Sequence, residues 1–176
     1  MLERRSALAG AKPYESARLK IGERPGFTLT QVAGNAADMA SRLAALVGSL
    51  PETTGRAQDN SGLTIFLIAP GQYWLVASQP HDAMPPLQGP FAVTPLSSSR
   101  TRITIEGEPA RRVLAKLVAV DVHASTFVPG SFALTGLHHT PVLVHCTGEE
   151  AFDIYAMRTF ALTVWEVLED AALEFC

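Results

Sequence analysis

Residues 158–173 read RTFALTVWEVLEDAAL, and the spacing of their apolar side chains determines how the C-terminal half folds. The apolar positions that recur at helical spacing are Phe160, Ala161, Val164, Trp165, Leu168, Ala171 and Ala172. Polar residues take the opposite side, which is typical of an amphipathic helix. Because burying a Phe or Leu side chain is worth roughly 1.5–3 kcal/mol, this stripe predicts a core helix.

The residues that precede this helix predict a sheet with one further helix. Alternating or continuous apolar runs predict strands at 91–96, 101–105, 131–137, 141–146 and 151–155. Pro109 suits the first position of a helix, and Val113, Leu114 and Leu117 form its apolar side. The second half is therefore expected to be strands followed by a helix, more strands and the final helix.

The first half repeats this order more loosely. Strands are predicted at 17–21 and 27–32, and a helix is predicted over 36–47 with Asn35 as N-cap and Gly48 just after its end. Strands at 63–68 and 73–77 flank Pro70-Gly71, a pair typical of a tight turn. Residues 50–62 are polar and predict a loop, and 78–90 predict a proline-rich linker.

These elements predict an α+β fold with two pseudo-repeated lobes of mainly antiparallel sheet and packed helices. The predicted organisation is an N-terminal arm over 1–14 and a single domain over 15–176, made of lobes 15–80 and 90–176. The arm is charged and rich in alanine, and no apolar stripe requires it to be helical.

Composition excludes several classes of function. The chain has 176 residues, 47% hydrophobic and 18% charged, with a net charge of −3, so a basic nucleic-acid-binding face is not expected. No apolar run approaches the ~20 residues that cross a bilayer. The two cysteines do not predict a disulfide framework. We expect a cytoplasmic protein without nucleic-acid or membrane partners.

Candidate chemistry is sparse. His138, His139, His145 and Cys146 are the one group of possible metal ligands, but their spacing fits a polar turn beside a buried thiol better. Asp121 and His123 are spaced to share a strand face, where a carboxylate can orient an imidazole. The same pair also suits an irregular loop that hydrogen-bonds its own backbone.

Arginines are the remaining candidates. Arg100, Arg102 and Arg158 suit either anion binding or internal pairing with Asp153 and the glutamates. No glycine-rich nucleotide motif, nucleophile elbow or HExxH zinc motif is present in the sequence. From the residues we predict no catalytic, cofactor-binding or metal-binding residue, and the chain is expected to be a binding or assembly module.

Three segments of the second half carry a family resemblance. They are LSSSRTR at 96–102 with IEG at 105–107 and ARRVLAK at 110–116, then DVH at 121–123 with FVPG at 127–130, and finally FDIY at 152–155 with RTFA at 158–161 and WE at 165–166. In this order they resemble the gamma subunit of heterotetrameric sarcosine oxidase. The first half is compatible, with ERPG at 23–26 and GQYWLV at 71–76.

The resemblance implies the folate-binding fold of glycine-cleavage T proteins and a role in a bacterial complex. That complex demethylates sarcosine oxidatively to glycine and transfers the one-carbon unit to tetrahydrofolate. It implies alpha, beta and delta partner subunits, which would hold the FAD, FMN, NAD, zinc and catalytic centres. The sequence does not choose among N-methyl amino acids as substrate.

Two other hypotheses stay open. One is a stand-alone folate or one-carbon-binding protein of the same fold, for which Asp121 or Asp153 would have to meet the pterin. The other is a small metalloprotein built on the histidines and Cys146. For the accessory-subunit hypothesis, the predicted partner contacts are Arg4, Arg5, Arg100 and Arg102, and Asp121, His123 and Arg158 are the weaker polar-site candidates.

Overall fold

The computed structural model describes residues 5–78 and 86–175 and has an α+β fold. Every strand pair in the described residues is antiparallel. The strands are β1 (Tyr14–Glu15), β2 (Lys20–Glu23), β3 (Thr28–Gly34), β4 (Gln58–Asn60), β5 (Leu63–Ala69), β6 (Gln72–Ala77), β7 (Phe91–Pro95), β8 (Arg100–Glu106), β9 (Phe132–Leu137), β10 (Thr140–Gly148) and β11 (Ala151–Met157). The α-helices are α1 (Ala36–Val47), α2 (Ala110–Leu117) and α3 (Ala161–Ala172). The predicted fold class is confirmed.

The chain divides into two compact units. The first unit comprises Met1–Pro25 and Ser99–Cys176, and the second unit comprises Gly26–Ser98. In the first unit, a six-stranded sheet has the order β1-β2-β8-β11-β10-β9. Helices α2 and α3 belong to the apolar core of this unit, which includes Val113, Leu114, Trp165 and Leu168. Helix burial of this kind is what the apolar stripe of 158–173 predicted.

The second unit is a five-stranded sheet with the order β4-β5-β6-β3-β7. Helix α1 contributes Met39, Leu43 and Val47 to the core of this unit. Its predicted bounds are confirmed, and Gly48 follows with φ +87, the left-handed conformation that a glycine adopts at low cost. The predicted β5–β6 hairpin is also confirmed, with Gly71 at φ +70 in the turn.

The division into units differs from the predicted arm and lobes. The described part of the predicted arm packs against the first unit. Leu8 is buried in the core of this unit, and the Tyr14 hydroxyl donates to the Ala172 carbonyl at 3.3 Å. Residues 20–23 pair with β8, with Ile21 opposite Ile105. Conversely, β7 pairs with β3 in the second unit instead of joining the second half. Both differences arise because strand partners are chosen by register and burial, which sequence order does not encode.

Two local predictions were also wrong. Phe160 was expected in the buried stripe of the last helix, but 158–160 form a 3-10 turn that precedes α3. Phe160 lies in the N-cap position of α3 and is 44% exposed. The expected loop over 50–62 contains β4, which pairs with β5. Of the predicted linker over 78–90, residues 79–85 lie outside the described part of the chain.

Candidate functional site

A buried group of polar side chains lies on one face of the first unit's sheet. In the register of β8 and β11, Arg102 stands opposite Tyr155 and Thr104 opposite Asp153. Because side chains alternate along a strand, these four point to one face, while Ile103 and Ile154 point to the helix-covered face. An Arg102 Nη2 donates to an Asp153 Oδ2 at 2.6 Å, with side chains 7% and 2% exposed.

The side chains of this group shift each other's pKa values. The Arg102 guanidinium carbon lies 5.8 Å from the centre of the Tyr155 ring. Burial opposes the charged form of Arg102, but Tyr155 and the Asp153 carboxylate outweigh it, so the pKa of Arg102 is raised. Burial, followed by the Asp153 charge, raises the pKa of Tyr155 far above its usual range. Tyr155 is therefore a neutral phenol at neutral pH, and it lies beside the Arg102–Asp153 salt bridge.

The structure places Arg102, one of the predicted partner contacts, inside this buried group. The predicted partner contact is buried and paired with Asp153, which was the structural alternative considered for the arginines. Its Nε is buried and has no hydrogen-bond partner among the described residues. Asp153 has the burial required of a folate-binding acid, but one of its carboxylate oxygens already accepts from Arg102.

Three other predicted residues come together at the β11–α3 junction. The Arg158 guanidinium donates to the Arg5 carbonyl, and the Arg158 backbone N–H donates to the Ser99 carbonyl at 2.9 Å. Arg100 pairs in register with Met157, and burial lowers the pKa of the Arg100 guanidinium. Arg4, the fourth predicted contact, lies outside the described residues.

Asp121 and His123 form a surface turn. The Asp121 carboxylate accepts from the His123 backbone N–H at 2.9 Å, while the His123 ring Nδ1 lies 2.8 Å from the Ser125 hydroxyl. This backbone hydrogen bond, followed by one from the Thr126 side chain, lowers the pKa of Asp121. Both predicted residues are exposed, and their hydrogen bonds are those of the irregular-loop alternative.

The histidines and Cys146 do not converge in the part of the chain that is described. The His138 and His139 rings contact each other, with centres 4.2 Å apart, in the β9–β10 turn. His145 and Cys146 are buried on β10, where neighbours point to opposite faces. Within 5–78 and 86–175, no group of three or more His, Cys, Asp or Glu side chains could hold a metal ion.

Sequence reasoning missed the role of Arg111 on α2. Its guanidinium donates to the carbonyls of Glu149, Val122 and Phe127 at 2.8, 2.7 and 3.0 Å. It also lies 5.0 Å from the centre of the Phe152 ring. One side chain thus joins the loop after α2 to the β10–β11 turn. The signal available in the sequence was an arginine on the predicted helix, followed by a long segment without regular structure.

A small cavity lies between the N-terminal segment and α3. It has a volume of about 180 Å³ and is lined by Leu8, Ala11, Pro13, Glu23, Pro25 and Trp165. Sites for drug-sized ligands typically have roughly 300–1,000 Å³. The cavity is therefore too small to enclose a folate.

No helix in the described residues is long and apolar enough to span a membrane.

The fold places the chain in a structural class. It is similar to the glycine cleavage system aminomethyltransferase T from Bartonella henselae, with a TM-score of 0.64 and 16% identity over 86% of this chain and 45% of that one. At this identity the likeness defines the fold alone. The chain therefore belongs to the class of α+β proteins with the aminomethyltransferase fold. Its central charged side chains pair with each other.

Closer similarities identify the family. The profile of the Sarcosine oxidase, gamma subunit family matches residues 53–174. The sarcosine oxidase subunit gamma of Corynebacterium sp. (strain U-96) is 33% identical over 140 residues, covering 76% of this chain and 68% of the relative. A chain in the structure of heterotetrameric sarcosine oxidase from Corynebacterium sp. U-96, in complex with pyrrole 2-carboxylate, is similar with a TM-score of 0.84, 27% identity and coverage of 98% and 96%. This protein belongs to the sarcosine oxidase gamma subunit family.

Proposed function

We propose that the chain is the accessory gamma subunit of a heterotetrameric sarcosine oxidase and assembles with alpha, beta and delta subunits. The observation that carries this proposal is the similarity along 98% of the chain to a chain of the Corynebacterium complex. Because the two chains are similar over nearly their whole length, the surface that this chain presents for assembly is built on the same backbone framework as that of the Corynebacterium chain.

The chain's own polar groups support an accessory role. Arg102 and Asp153 neutralise each other, and Asp121 is hydrogen-bonded within a surface turn. We therefore propose that the reaction occurs on the partner subunits, with FAD, FMN, NAD and zinc as their cofactors and tetrahydrofolate as co-substrate.

In this proposal the complex demethylates sarcosine oxidatively to glycine. The low cysteine content and the bacterial origin of the Corynebacterium relative support the cytoplasm of a bacterium as its location. This chain does not determine which N-methyl amino acid is oxidised, because in this proposal the substrate binds to a different subunit.

Co-expression tests the proposal directly. The tagged full-length chain is produced together with the alpha, beta and delta subunits of its own source, and the tag is used for purification. We expect all four subunits to co-purify with bound flavin and sarcosine turnover. As a control, the same tagged chain is produced without the other subunits. Bound flavin or sarcosine turnover in that control would refute an accessory role.

Calorimetry distinguishes the stand-alone alternative. Titration of the isolated chain with tetrahydrofolate is expected to give no binding heat, because Asp153 is already paired and Asp121 is hydrogen-bonded to the backbone of its own turn. A saturable heat that is lost in Asp153→Asn, but kept in Asp170→Asn on the exposed side of α3, would favour the folate-binding hypothesis.

A further inference from the structure

The cavity beside the N-terminal segment has apolar walls and a single charged side chain. Its lining is contributed by the N-terminal segment, by the end of β2 with the residues that follow it, and by α3, namely Leu8, Ala11, Pro13, Glu23, Pro25 and Trp165. All six residues belong to the first unit. A mostly apolar cavity with one polar group that can orient a ligand is the usual composition of a small-molecule site.

The charged side chain is Glu23, which is half-buried. Both of its carboxylate oxygens lie within hydrogen-bond distance of the Ser6 hydroxyl. Because a hydroxyl has one hydrogen, it donates to only one of these oxygens at a time. Glu23 takes part in none of the ion pairs formed between described residues. The carboxylate therefore keeps an acceptor, and its negative charge, for a further partner.

The size and the walls of the cavity restrict the kind of partner. Its volume is about 180 Å³, and an apolar cavity of roughly 150 Å³ admits a molecule of the size of benzene. Trp165 in the wall is the aromatic residue type that attracts cations most strongly. The lining side chains include one carboxylate and no imidazole or thiol, which is too few ligands for a metal ion.

We propose that this cavity binds a small alkylammonium ion from solution. The ammonium group donates to the Glu23 carboxylate, and the alkyl chain lies against the apolar walls. An amino acid such as sarcosine is excluded, because its carboxylate would meet the charge of Glu23 and the apolar lining. The inference concerns a ligand of this chain itself and does not depend on the proposed function.

Titration of the isotope-labelled full-length chain with n-butylammonium, followed by NMR, is the principal test. We expect saturable shifts of the Trp165 indole N–H and of the Leu8 and Ala11 amides, which are hydrogen-bonded within the N-terminal segment. The dissociation constant should be on the order of 1 mM, because a ligand of about five non-hydrogen atoms makes few contacts. Shifts that do not saturate, or that occur only outside the cavity, would overturn the site.

A matched pair of variants tests the role of the carboxylate. Glu23→Gln keeps an oxygen that accepts from the Ser6 hydroxyl, so the fold should be retained, which circular dichroism checks. It should weaken butylammonium binding by about tenfold or more, because a charge-assisted hydrogen bond is lost. Glu15→Gln, on β1 outside the cavity, should change the affinity by less than about twofold. Equal effects of the two variants would contradict the proposal.

A neutral ligand of the same size separates charge recognition from a structural effect. The wild-type chain should bind n-butylammonium about tenfold more tightly than n-butanol, whereas Glu23→Gln should bind the two alike. A merely structural effect of the substitution would weaken both ligands by the same factor. Equal affinities of the wild-type chain for the two ligands would refute recognition of the ammonium group.

The purified complex with the other subunits provides the last measurement. Saturation-transfer difference NMR should detect n-butylammonium on the wild-type complex and a weaker signal on the complex that carries Glu23→Gln. Binding to the isolated chain but not to the complex would mean that a partner subunit fills the cavity, and a site for a free ligand would then be wrong. Failure of the chains to co-purify would refute the proposed function, while the titrations of the isolated chain would still decide this site.

Discussion

Replacing Asp153 by Ala tests the physical basis of the buried polar group. The substitution leaves the Arg102 guanidinium in a site where its side chain is 7% exposed. The 2.6 Å hydrogen bond to the carboxylate is lost, and Nε already lacks a partner among the described residues. The variant therefore has an unpaired buried charge.

The expected cost follows from this burial. Removing one partner of a buried ion pair typically destabilises a protein by about 3–5 kcal/mol. For a chain of this size each kcal/mol lowers the melting temperature by roughly 2–4 °C, so we expect a decrease on the order of 10 °C. Urea denaturation followed by tryptophan fluorescence measures the change in the free energy of unfolding, since Trp165 is buried in the same unit.

Two comparisons separate charge from packing. Arg102→Met combined with Asp153→Leu removes both charges and should recover most of the free energy of unfolding. Asp170→Ala, on the exposed side of α3, should change it by less than about 0.5 kcal/mol. The reasoning is refuted if Asp153→Ala costs less than about 1 kcal/mol, or if the double variant is as unstable as the single one.

Three further predictions concern single residues of the first unit. Arg111→Met should lower the free energy of unfolding by about 2 kcal/mol, because three carbonyls lose a charged donor. Arg112→Met, which loses an exposed ion pair, should cost below about 1 kcal/mol in the same denaturation assay; equal costs would contradict the role of Arg111. Gly107→Ala should cost more than about 1 kcal/mol, because φ is +125 and the new Cβ would lie 2.0 Å from the Arg18 carbonyl oxygen; Gly10→Ala, with open space around it, is the control. Because the pKa of Asp121 is lowered in the folded state, its carboxylate stabilises the fold above the unfolded-state pKa, and this contribution is lost as pH falls through the folded-state pKa. The free energy of unfolding of Asp121→Asn should therefore differ from that of wild type at neutral pH and converge with it in acid. A difference that stays constant with pH would exclude this linkage.

Local elements were predictable because their signals are local. Helix α1 has its cap, apolar face and terminal glycine within 14 consecutive residues, 35–48, and the structure has the predicted bounds. The β5–β6 hairpin similarly carries its turn residues between its strands. Phe160 was predicted to be buried because helical spacing does not reveal that 158–160 form a 3-10 turn and that α3 begins only at Ala161.

The candidate site was predictable as residue types but not as an arrangement. The arginines were recognised as either partner contacts or internal ion-pair residues, and the structure separates them: Arg102 is buried against Asp153, whereas Arg100 and Arg158 lie at the β11–α3 junction with Arg5. Arg100 and Arg102 are two positions apart on β8, so strand alternation alone gives them the same face. Their different surroundings depend on where the neighbouring strands end.

The sequence by itself determined the α+β class, the main helices and hairpins, and the family, because these depend on residue patterns within short segments. The tertiary structure alone decided that 20–23 pair with β8, that Arg102 meets Asp153, and that Arg5, Arg100 and Arg158 meet at one junction. The physical reason is that these contacts join residues distant in the chain, and their partners are selected by register and burial in the folded sheet.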